Sequence, residues 1–122
     1  MADEWADEPV PSELIVRRAE TDRAVIFHLT GEVDVATALS LLLELSGVEH
    51  EMPAGKVLVI DMTGVTFLAS AGLALVVDVA RRCGTTGVEL RVVTGNRTVK
   101  SAFRTSGLTE TLTLVDHLAD AA

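Results

Sequence analysis

The stretch TFLASAGLALVV, residues 66–77, places a serine hydroxyl at the start of an apolar run. Ser70 stands between Ala69 and Ala71, so only small side chains flank it. A serine at the start of a helix can act as a nucleophile, cap the helix by accepting a backbone N–H bond, or accept a phosphoryl group from a kinase. The choice among these roles depends on which other groups the fold brings to Ser70.

The surrounding residues do not match the usual patterns for serine catalysis. Ser70 lies in ASAG rather than GxSxG, and neither GxxxxGK[ST] nor GxGxxG occurs in the chain. His117 is the one histidine that follows Ser70, and we expect no catalytic triad. Asp61 and Asp78 lack the further acids and the distant lysine of a phosphoaspartyl pocket. Asp61 is instead predicted to end its strand and to accept turn amides.

The composition excludes several classes of partner. The 122 residues suit one domain, and a formal net charge of −8 argues against nucleic acid and anionic membranes, which need clustered Lys and Arg. No apolar run approaches the roughly 18 residues of a membrane span. The N-terminal residues lack the apolar core of a signal peptide, so we expect a cytoplasmic protein. The single cysteine, Cys83, permits no internal disulfide or zinc cluster, and we predict no metal and no cofactor.

The first part of the chain predicts an arm followed by a β-hairpin. Residues 1–12 are acidic and contain two prolines, so we expect a mobile arm ahead of one domain at residues 13–122, with no fixed contact for Trp5. The segments LIVRRAE and AVIFHLT predict two strands joined by a turn at residues 20–22. We expect His28 to be a partly exposed strand histidine, because no acid lies at a useful spacing along the chain. The residues predicted to face the core are Val25, Phe27 and Leu29.

Two helices are predicted to follow strands. Asp34 is expected to cap a helix from Val35 to Leu45, and the loop HEMPAG follows. The run VLVID, residues 57–61, predicts a central parallel strand, and TGVTF predicts a turn before the helix that carries Ser70. Gly84 is expected to end that second helix. The predicted buried faces are Leu39, Leu42 and Leu43 on the first helix, and Leu73, Val76, Val77 and Ala80 on the second.

The remaining segments complete a single α/β domain. A strand is predicted for the segment VELRVV, and a short helix that ends at Gly107 is predicted for NRTVKSAFRTSGL. A last strand is predicted for TLTLV, before a short terminal helix or tail. The order β-β-α-β-α-β-α-β indicates a mostly parallel mixed sheet of four to five strands. The polar alternate residues of VELRVV indicate that the helices pack mainly on one face. The residues that the short helix is expected to bury are Val99, Ala102 and Phe103.

Three motifs, in this order, resemble the STAS domain family: TGEVD (30–34), VIDMTGVTFLASAGL (59–73) and VKSAFRTSGL (99–108). The resemblance covers residues 13–118, and the chain is similar to the bacterial anti-sigma factor antagonists of that family. It implies a small domain that is not an enzyme. Such antagonists bind an anti-sigma factor with serine-kinase activity and so free a sigma factor for transcription. Phosphorylation of the antagonist on a serine stops binding, and a serine phosphatase restores it.

The resemblance assigns roles to particular residues. Ser70 occupies the position of the phosphorylated serine, and Asp34 occupies that of the acid beside it. The family's serine follows an acid and precedes a second hydroxyl residue, whereas this chain has Ala69 and Ala71 there. The missing hydroxyl leaves Ser70 as the unambiguous acceptor. The missing acid changes how strongly a kinase is positioned, or which kinase fits.

The small residues around Ser70 predict a protein-docking surface. Gly72 costs a helix about 1 kcal/mol relative to alanine, which either close approach of a partner or close packing inside the domain would explain. Leu75 lies off the predicted buried face and is expected to be an exposed apolar anchor. The predicted partner-binding residues are Asp34, Ala69, Ser70, Ala71, Gly72, Ala74 and Leu75.

Other interpretations stay open at this stage. A STAS subunit of a stress-scaffold or lipid-transport assembly would share the fold without a switch at Ser70. A small hydrolase would use Ser70 as its nucleophile, and helix capping by Ser70 is compatible with each function. We expect a monomer.

Overall fold

The computed structural model describes residues 13–110 and 112–121, so the predicted arm lies outside the described residues. The strands are β1 (Leu14–Glu20), β2 (Ala24–Val33), β3 (Val57–Leu68), β4 (Glu89–Val93) and β5 (Thr113–Val115). The helices are α1 (Val35–Leu45), α2 (Val48–Glu51), α3 (Ser70–Thr86) and α4 (Arg97–Thr105), with 3-10 turns at Leu108–Glu110 and Leu118–Asp120. The predicted order is confirmed, and the short α2 occupies part of the segment interpreted as a loop.

The five strands form one mixed sheet in the order β1-β2-β3-β4-β5. β1 pairs antiparallel with β2, as the predicted hairpin requires, and the other neighbours are parallel. The helices cover one face, where Phe27, Leu29 and Ile60 belong to the main core. On the opposite face, Val59 and Val93 are buried in a smaller cluster that includes Ala121 from the end of the chain.

β3 is longer than the sequence predicted, because TGVTF continues the strand rather than forming a turn. The extra residues pair with the end of β2, from Thr30 opposite Gly64 to Val33 opposite Leu68. The register shifts once just before this stretch, between His28 and Thr30, and once within it, between Gly31 and Glu32. A Cβ atom at Gly64 would lie 2.9 Å from the carbonyl oxygen of Leu29. Gly64 is therefore needed for close approach of two strands, a use of glycine that resembles a turn signal in the sequence.

The bounds predicted for α1 are confirmed, but its predicted buried face is wrong. Leu39 and Leu43 are 60% and 71% exposed, and Leu42 is half-buried. Five leucines in eleven residues make the helix apolar on most sides, so periodicity alone does not determine which side faces the sheet. The residues that α1 buries are Thr37, Ala38, Leu41 and Leu45.

α3 is rotated relative to the prediction and is longer. Val76 is buried as expected, but Val77 is exposed and Leu73 and Ala80 are only half-buried. The helix continues through Gly84 and ends before Gly87, whose φ of 77° suits a left-handed C-terminal cap. The residues that α3 buries are Gly72, Leu75, Val76, Val79 and Cys83.

His28 has an acidic partner that its spacing in the sequence did not reveal. β2 and β3 pair in parallel register with His28 opposite Asp61, and the two side chains form a hydrogen bond. Asp61 lies inside β3 rather than ending the strand, and it accepts the backbone amide of Thr63 as predicted. The two residues join neighbouring strands on the face that lacks helices.

Candidate functional site

α1 and α3 begin side by side because the strands that precede them end together. Val33 and Leu68 are opposite each other at the ends of β2 and β3. The amide of Ala69 then donates a hydrogen bond of 2.8 Å to the carbonyl oxygen of Val33. Asp34 and Ser70 follow these two bonded residues directly. The fold thus brings together the acid and the serine that the sequence singled out.

Asp34 has a definite structural role as the N-cap of α1. Its Oδ1 accepts the amide of Thr37 at 2.9 Å, and its own amide donates to the hydroxyl of Thr37 at 2.9 Å. The hydroxyl of Thr37 also donates to the carbonyl oxygen of Glu32 at 2.7 Å. This reciprocal capping box fixes the first turn of α1 and confirms the predicted cap.

Ser70 is exposed and is the first helical residue of α3, one position beyond the N-cap. The N-cap is Ala69, which offers no side-chain oxygen, and the Ser70 hydroxyl makes no hydrogen bond with any residue in the described ranges. Helix capping by Ser70, one of the roles that the sequence left open, is therefore not the one this residue has. The amides of Ser70 and Ala71 lie in the first turn, where a helix supplies no acceptor, and such amides favour an anion nearby.

Two of the seven predicted docking residues lie beneath the surface. A Cβ atom on Gly72 would lie 2.6 Å from both Val33 Cγ1 and Leu68 Cδ1, so Gly72 is required for packing of α3 on the ends of β2 and β3. Leu75 is only 6% exposed and belongs to the core rather than forming an exposed anchor. Ser70 and Ala74 are exposed, whereas the side chains of Ala69 and Ala71 are half-buried.

An apolar groove runs between α1 and α3 next to Ser70, with a volume of about 480 Å³. Val35 and Leu39 form one wall, Ala71 and Ala74 form the other, and Leu75 contributes to its lining. We call these residues the α1–α3 groove. The α1 wall of this groove was not predicted from the sequence, because the helical pattern assigned Leu39 to the core. The signal available was the excess of leucines in α1 over what one buried stripe needs.

The groove also contains the carboxylate of Asp78. Arg81 and Arg82 lie 2.7 Å and 2.6 Å from the oxygens of this carboxylate. The hydrogen bond from Arg81 is the main reason that the pKa of Asp78 falls below its ordinary value. The groove therefore carries an ion cluster on α3 beside a wall of exposed aliphatic side chains.

Comparison with known families accounts for this architecture. Residues 16–121 match the STAS domain family. The chain belongs to the STAS domain family. A search of curated protein sequences finds no significant match to this STAS domain.

Solved structures extend the comparison. An anti-sigma factor antagonist from Mycobacterium paratuberculosis is similar, with a TM-score of 0.79 and 26% identity over 92% of this STAS domain and 93% of that chain. RsbS from Moorella thermoacetica, in a serine-to-glutamate variant, gives a TM-score of 0.72 at 17% identity, covering 87% and 90% of the two chains. The phosphorylated form of the Bacillus cell fate determinant SpoIIAA gives 0.64 at 17% identity, covering 87% and 96%. The last two likenesses concern the fold.

The described part of this STAS domain contains neither a membrane-spanning helix nor a cluster of metal ligands. None of its helices is long and apolar enough to cross a bilayer. No three histidine, cysteine or acidic side chains among residues 13–110 and 112–121 converge on a metal site. Cys83 is buried, and burial, with a further effect from Glu49, raises the pKa of its thiol to about 11.

Proposed function

We propose that this STAS domain is an anti-sigma factor antagonist that binds a kinase-type anti-sigma factor and is switched off by phosphorylation of Ser70. The observation that carries the proposal is the exposed hydroxyl of Ser70, free of hydrogen bonds to described residues and beside the α1–α3 groove. The similarity to the Mycobacterium paratuberculosis antagonist, at 26% identity, supports the same role. Release of a sigma factor in the cytoplasm, and resetting by a serine phosphatase, belong to this proposal.

The exposure of Ser70 supports modification by another protein. A kinase has to reach the hydroxyl in the folded domain, and Ser70 lies on the surface with no side-chain partner to displace among the described residues. Ala71 offers no second hydroxyl beside it. A phosphoryl group adds about −1.5 to −2 charges, and the amides at the start of α3 favour that charge. We therefore expect the domain to stay folded after phosphorylation.

The same charge would disrupt an apolar contact. A partner that covers Val35, Leu39 and Ala74 would bury the neighbouring phosphoryl group away from water. Desolvation of an anion without a cation is costly, and a loss of about 3 kcal/mol weakens binding more than a hundredfold. The segments that form this end of the domain, residues 30–45 and 66–77, contain no lysine or arginine that could pair with the phosphoryl group. We therefore expect the partner to bind the domain when Ser70 is unmodified and not to bind it when Ser70 is phosphorylated.

Ala69 supports the alternative role of a STAS interaction subunit that does not switch. The resemblance to the antagonists implies an acid before the serine, and the side chain of Ala69 supplies no such negative charge. A kinase that depends on this charge would modify Ser70 slowly, and the domain would remain in its binding form. The two functions differ in whether charge at Ser70 changes binding.

The test compares binding of four forms to a kinase-type anti-sigma factor from the same cells. They are wild type, Ser70→Ala, Ser70→Glu and a matched control, Thr85→Glu. Thr85 is exposed on the same helix, about 22 Å along the axis from Ser70 at 1.5 Å per residue. We expect Ser70→Glu to bind at least tenfold more weakly than wild type, while Ser70→Ala and Thr85→Glu bind normally. Only wild type and Thr85→Glu should incorporate phosphate from ATP.

Equal binding by all four forms would reject the switch and favour the interaction subunit. No binding by any form would reject the antagonist function itself. Intact-mass measurement of the protein from its own cells, with mapping of the modified residue, provides an independent check. Phosphate on a residue other than Ser70 would contradict the assignment.

A further inference from the structure

A cavity of about 720 Å³ lies beside α4, away from the α1–α3 groove. Its lining is rich in cations, although the whole chain has a formal net charge of −8. We call it the α4 cavity. The side chains that line it include Arg97, Lys100, Ser101, Arg104, Asp116 and His117.

Two arginines of the α4 cavity have no acidic partner among the described residues. Lys100 is paired with Asp116 at 2.7 Å, but Arg97 and Arg104 form no ion pair or side-chain hydrogen bond within the described ranges. Both are exposed, and they lie seven residues apart on α4, about 10 Å along the helix axis. The cavity therefore offers two guanidinium groups without a partner in the described ranges, carried by residues about two helical turns apart on α4. Such groups bind carboxylates through paired N–H donors.

The N-terminal segment of the chain supplies a complementary set of charges. Residues 1–12 contain two acidic pairs, Asp3 with Glu4 and Asp7 with Glu8. The pairs are four residues apart, which corresponds to at most about 14 Å in an extended chain. That distance is enough to match the separation of Arg97 and Arg104.

The segment also begins close enough to reach the α4 cavity. The carbonyl oxygen of Glu13 accepts the amide of Glu32 near the end of β2, so the residue to which the segment is attached lies beside β2. Gly31 of β2 is opposite Val65 of β3, and the carbonyl oxygen of Val65 accepts Nδ2 of Asn96 at the start of α4. These contacts place Glu13 about three strand spacings, or about 14 Å, from the start of α4. Twelve residues extend up to about 40 Å.

We propose that residues 1–12 bind in the α4 cavity, with their acidic pairs on Arg97 and Arg104. Three observations support this occupant: the opposite charge, the length of the segment and its point of attachment beside β2. Because the segment is tethered, its effective concentration at the cavity is in the millimolar range, so weak charge pairs suffice for binding. Phe67, which is opposite Glu32 and 48% exposed, lies near the point of attachment and offers an apolar contact. The proposal does not depend on the function of Ser70.

Trp5 is the single tryptophan of the chain and lies between the two acidic pairs, so its fluorescence reports on this segment. Quenching by acrylamide is measured on the full chain and on a free peptide of residues 1–13. We expect the quenching constant of the full chain to be at least twofold lower than that of the peptide. The variant Arg97→Glu/Arg104→Glu should raise it to the peptide's value, and 0.5 M salt should do the same for wild type, as screening predicts for exposed pairs.

The matched control is Arg23→Glu/Lys56→Glu, which makes the same change in net charge at the opposite ends of the strands. Neither of these cations forms an ion pair with a described residue. This variant should keep the low quenching constant of wild type. Circular dichroism and the urea midpoint confirm that each variant is folded.

Three outcomes would overturn the proposal. The first is an equal quenching constant for wild type, both variants and the peptide. The second is an equal rise in both variants, which would assign protection to net charge rather than to the α4 cavity. The third is protection that increases with protein concentration, which would identify a second copy of the chain as the occupant.

Discussion

Nδ1 of His28 donates a hydrogen bond of 2.8 Å to Oδ2 of Asp61 on the open face of the sheet. Oδ1 of Asp61 accepts both the amide and the hydroxyl of Thr63, at 3.0 Å and 2.6 Å. Burial raises the pKa of Asp61, but the hydrogen bonds from Thr63 and His28 lower it by more than burial raises it. The pKa of Asp61 is therefore below its ordinary value. The carboxylate is thus stabilised in its charged form at the junction of β2 and β3.

This shift predicts a loss of stability in acid. A carboxyl group whose pKa is lower in the folded state contributes stability above its unfolded pKa of about 4. That contribution is lost as the pH falls through the folded pKa. We expect the free energy of unfolding of wild type to fall more steeply as the pH drops below about 4 than that of Asp61→Asn, measured by urea denaturation.

Asp78→Asn is the control for this measurement. The pKa of Asp78 is also lowered, chiefly by its hydrogen bond to Arg81, but the ion pair is at the surface. Its effect should therefore disappear in 1 M salt, whereas the effect of Asp61 should persist. Identical acid profiles for wild type and Asp61→Asn would contradict the role assigned to the His28 pair.

Replacement of Gly72 and of Gly84 by alanine should change the free energy of unfolding in opposite directions, although both residues lie in α3. Gly72→Ala would place a methyl group against Leu68 and against Val33, whose branched side chain has little rotamer freedom. We expect a loss of about 1–3 kcal/mol, typical of overpacking, despite the better helix propensity of alanine. Gly84 has open space around it and should gain up to about 1 kcal/mol on replacement. Urea denaturation of both variants checks this, and stabilisation by Gly72→Ala would show that the site is not tightly packed.

Substitutions of Asp34 distinguish the contribution of its capping hydrogen bond from that of its negative charge. Asp34→Ala removes the bond to the Thr37 amide and should lower the free energy of unfolding by about 1 kcal/mol. Asp34→Asn keeps a capping oxygen and should retain nearly all of the stability. If Asp34→Asn loses as much as Asp34→Ala, the charge rather than the cap stabilises α1. Thermal or urea unfolding distinguishes the two cases.

Leu39 and Leu41 are close together on α1, but we expect Leu41 to contribute to stability and Leu39 to partner binding. Leu41 is fully buried, and Leu41→Ala should cost about 2–5 kcal/mol of stability. Leu39→Ala should change stability by less than about 0.5 kcal/mol, because its side chain is mostly exposed. Under the proposed function, Leu39→Ala should still weaken anti-sigma factor binding at least tenfold, measured by calorimetry. Unchanged binding would remove the α1–α3 groove from the interface.

The elements that depend on local signals were predictable from the sequence. Asp34 and Gly47 flank α1, and the predicted bounds Val35–Leu45 are those of the structure. The hairpin of β1 and β2, the α/β order and the one-sided helix cover also follow from periodicity and turn residues. These features require no knowledge of distant contacts.

The features that depend on distant contacts were not predictable. α3 is displaced by one residue, or about 100° of helical rotation, from the predicted phase. Gly72, rather than Leu73, meets Val33 and Leu68, and this contact decides which side of a largely apolar helix is buried. The His28–Asp61 pair joins residues 33 positions apart through the register of parallel strands. A single sequence does not specify that register.

Ala69 is held at the start of α3 by backbone hydrogen bonds alone. Its amide donates to the carbonyl of Val33, and its carbonyl accepts the amides of Gly72 and Leu73. The methyl group of Ala69 makes no capping hydrogen bond, so a substitution here removes no such bond from the start of α3. The start of α3 and the chemical character of the surface beside Ser70 therefore depend on different atoms of residue 69. An exchange between alanine and an acid at residue 69 would change the charge next to Ser70 while keeping the backbone bonds that begin α3.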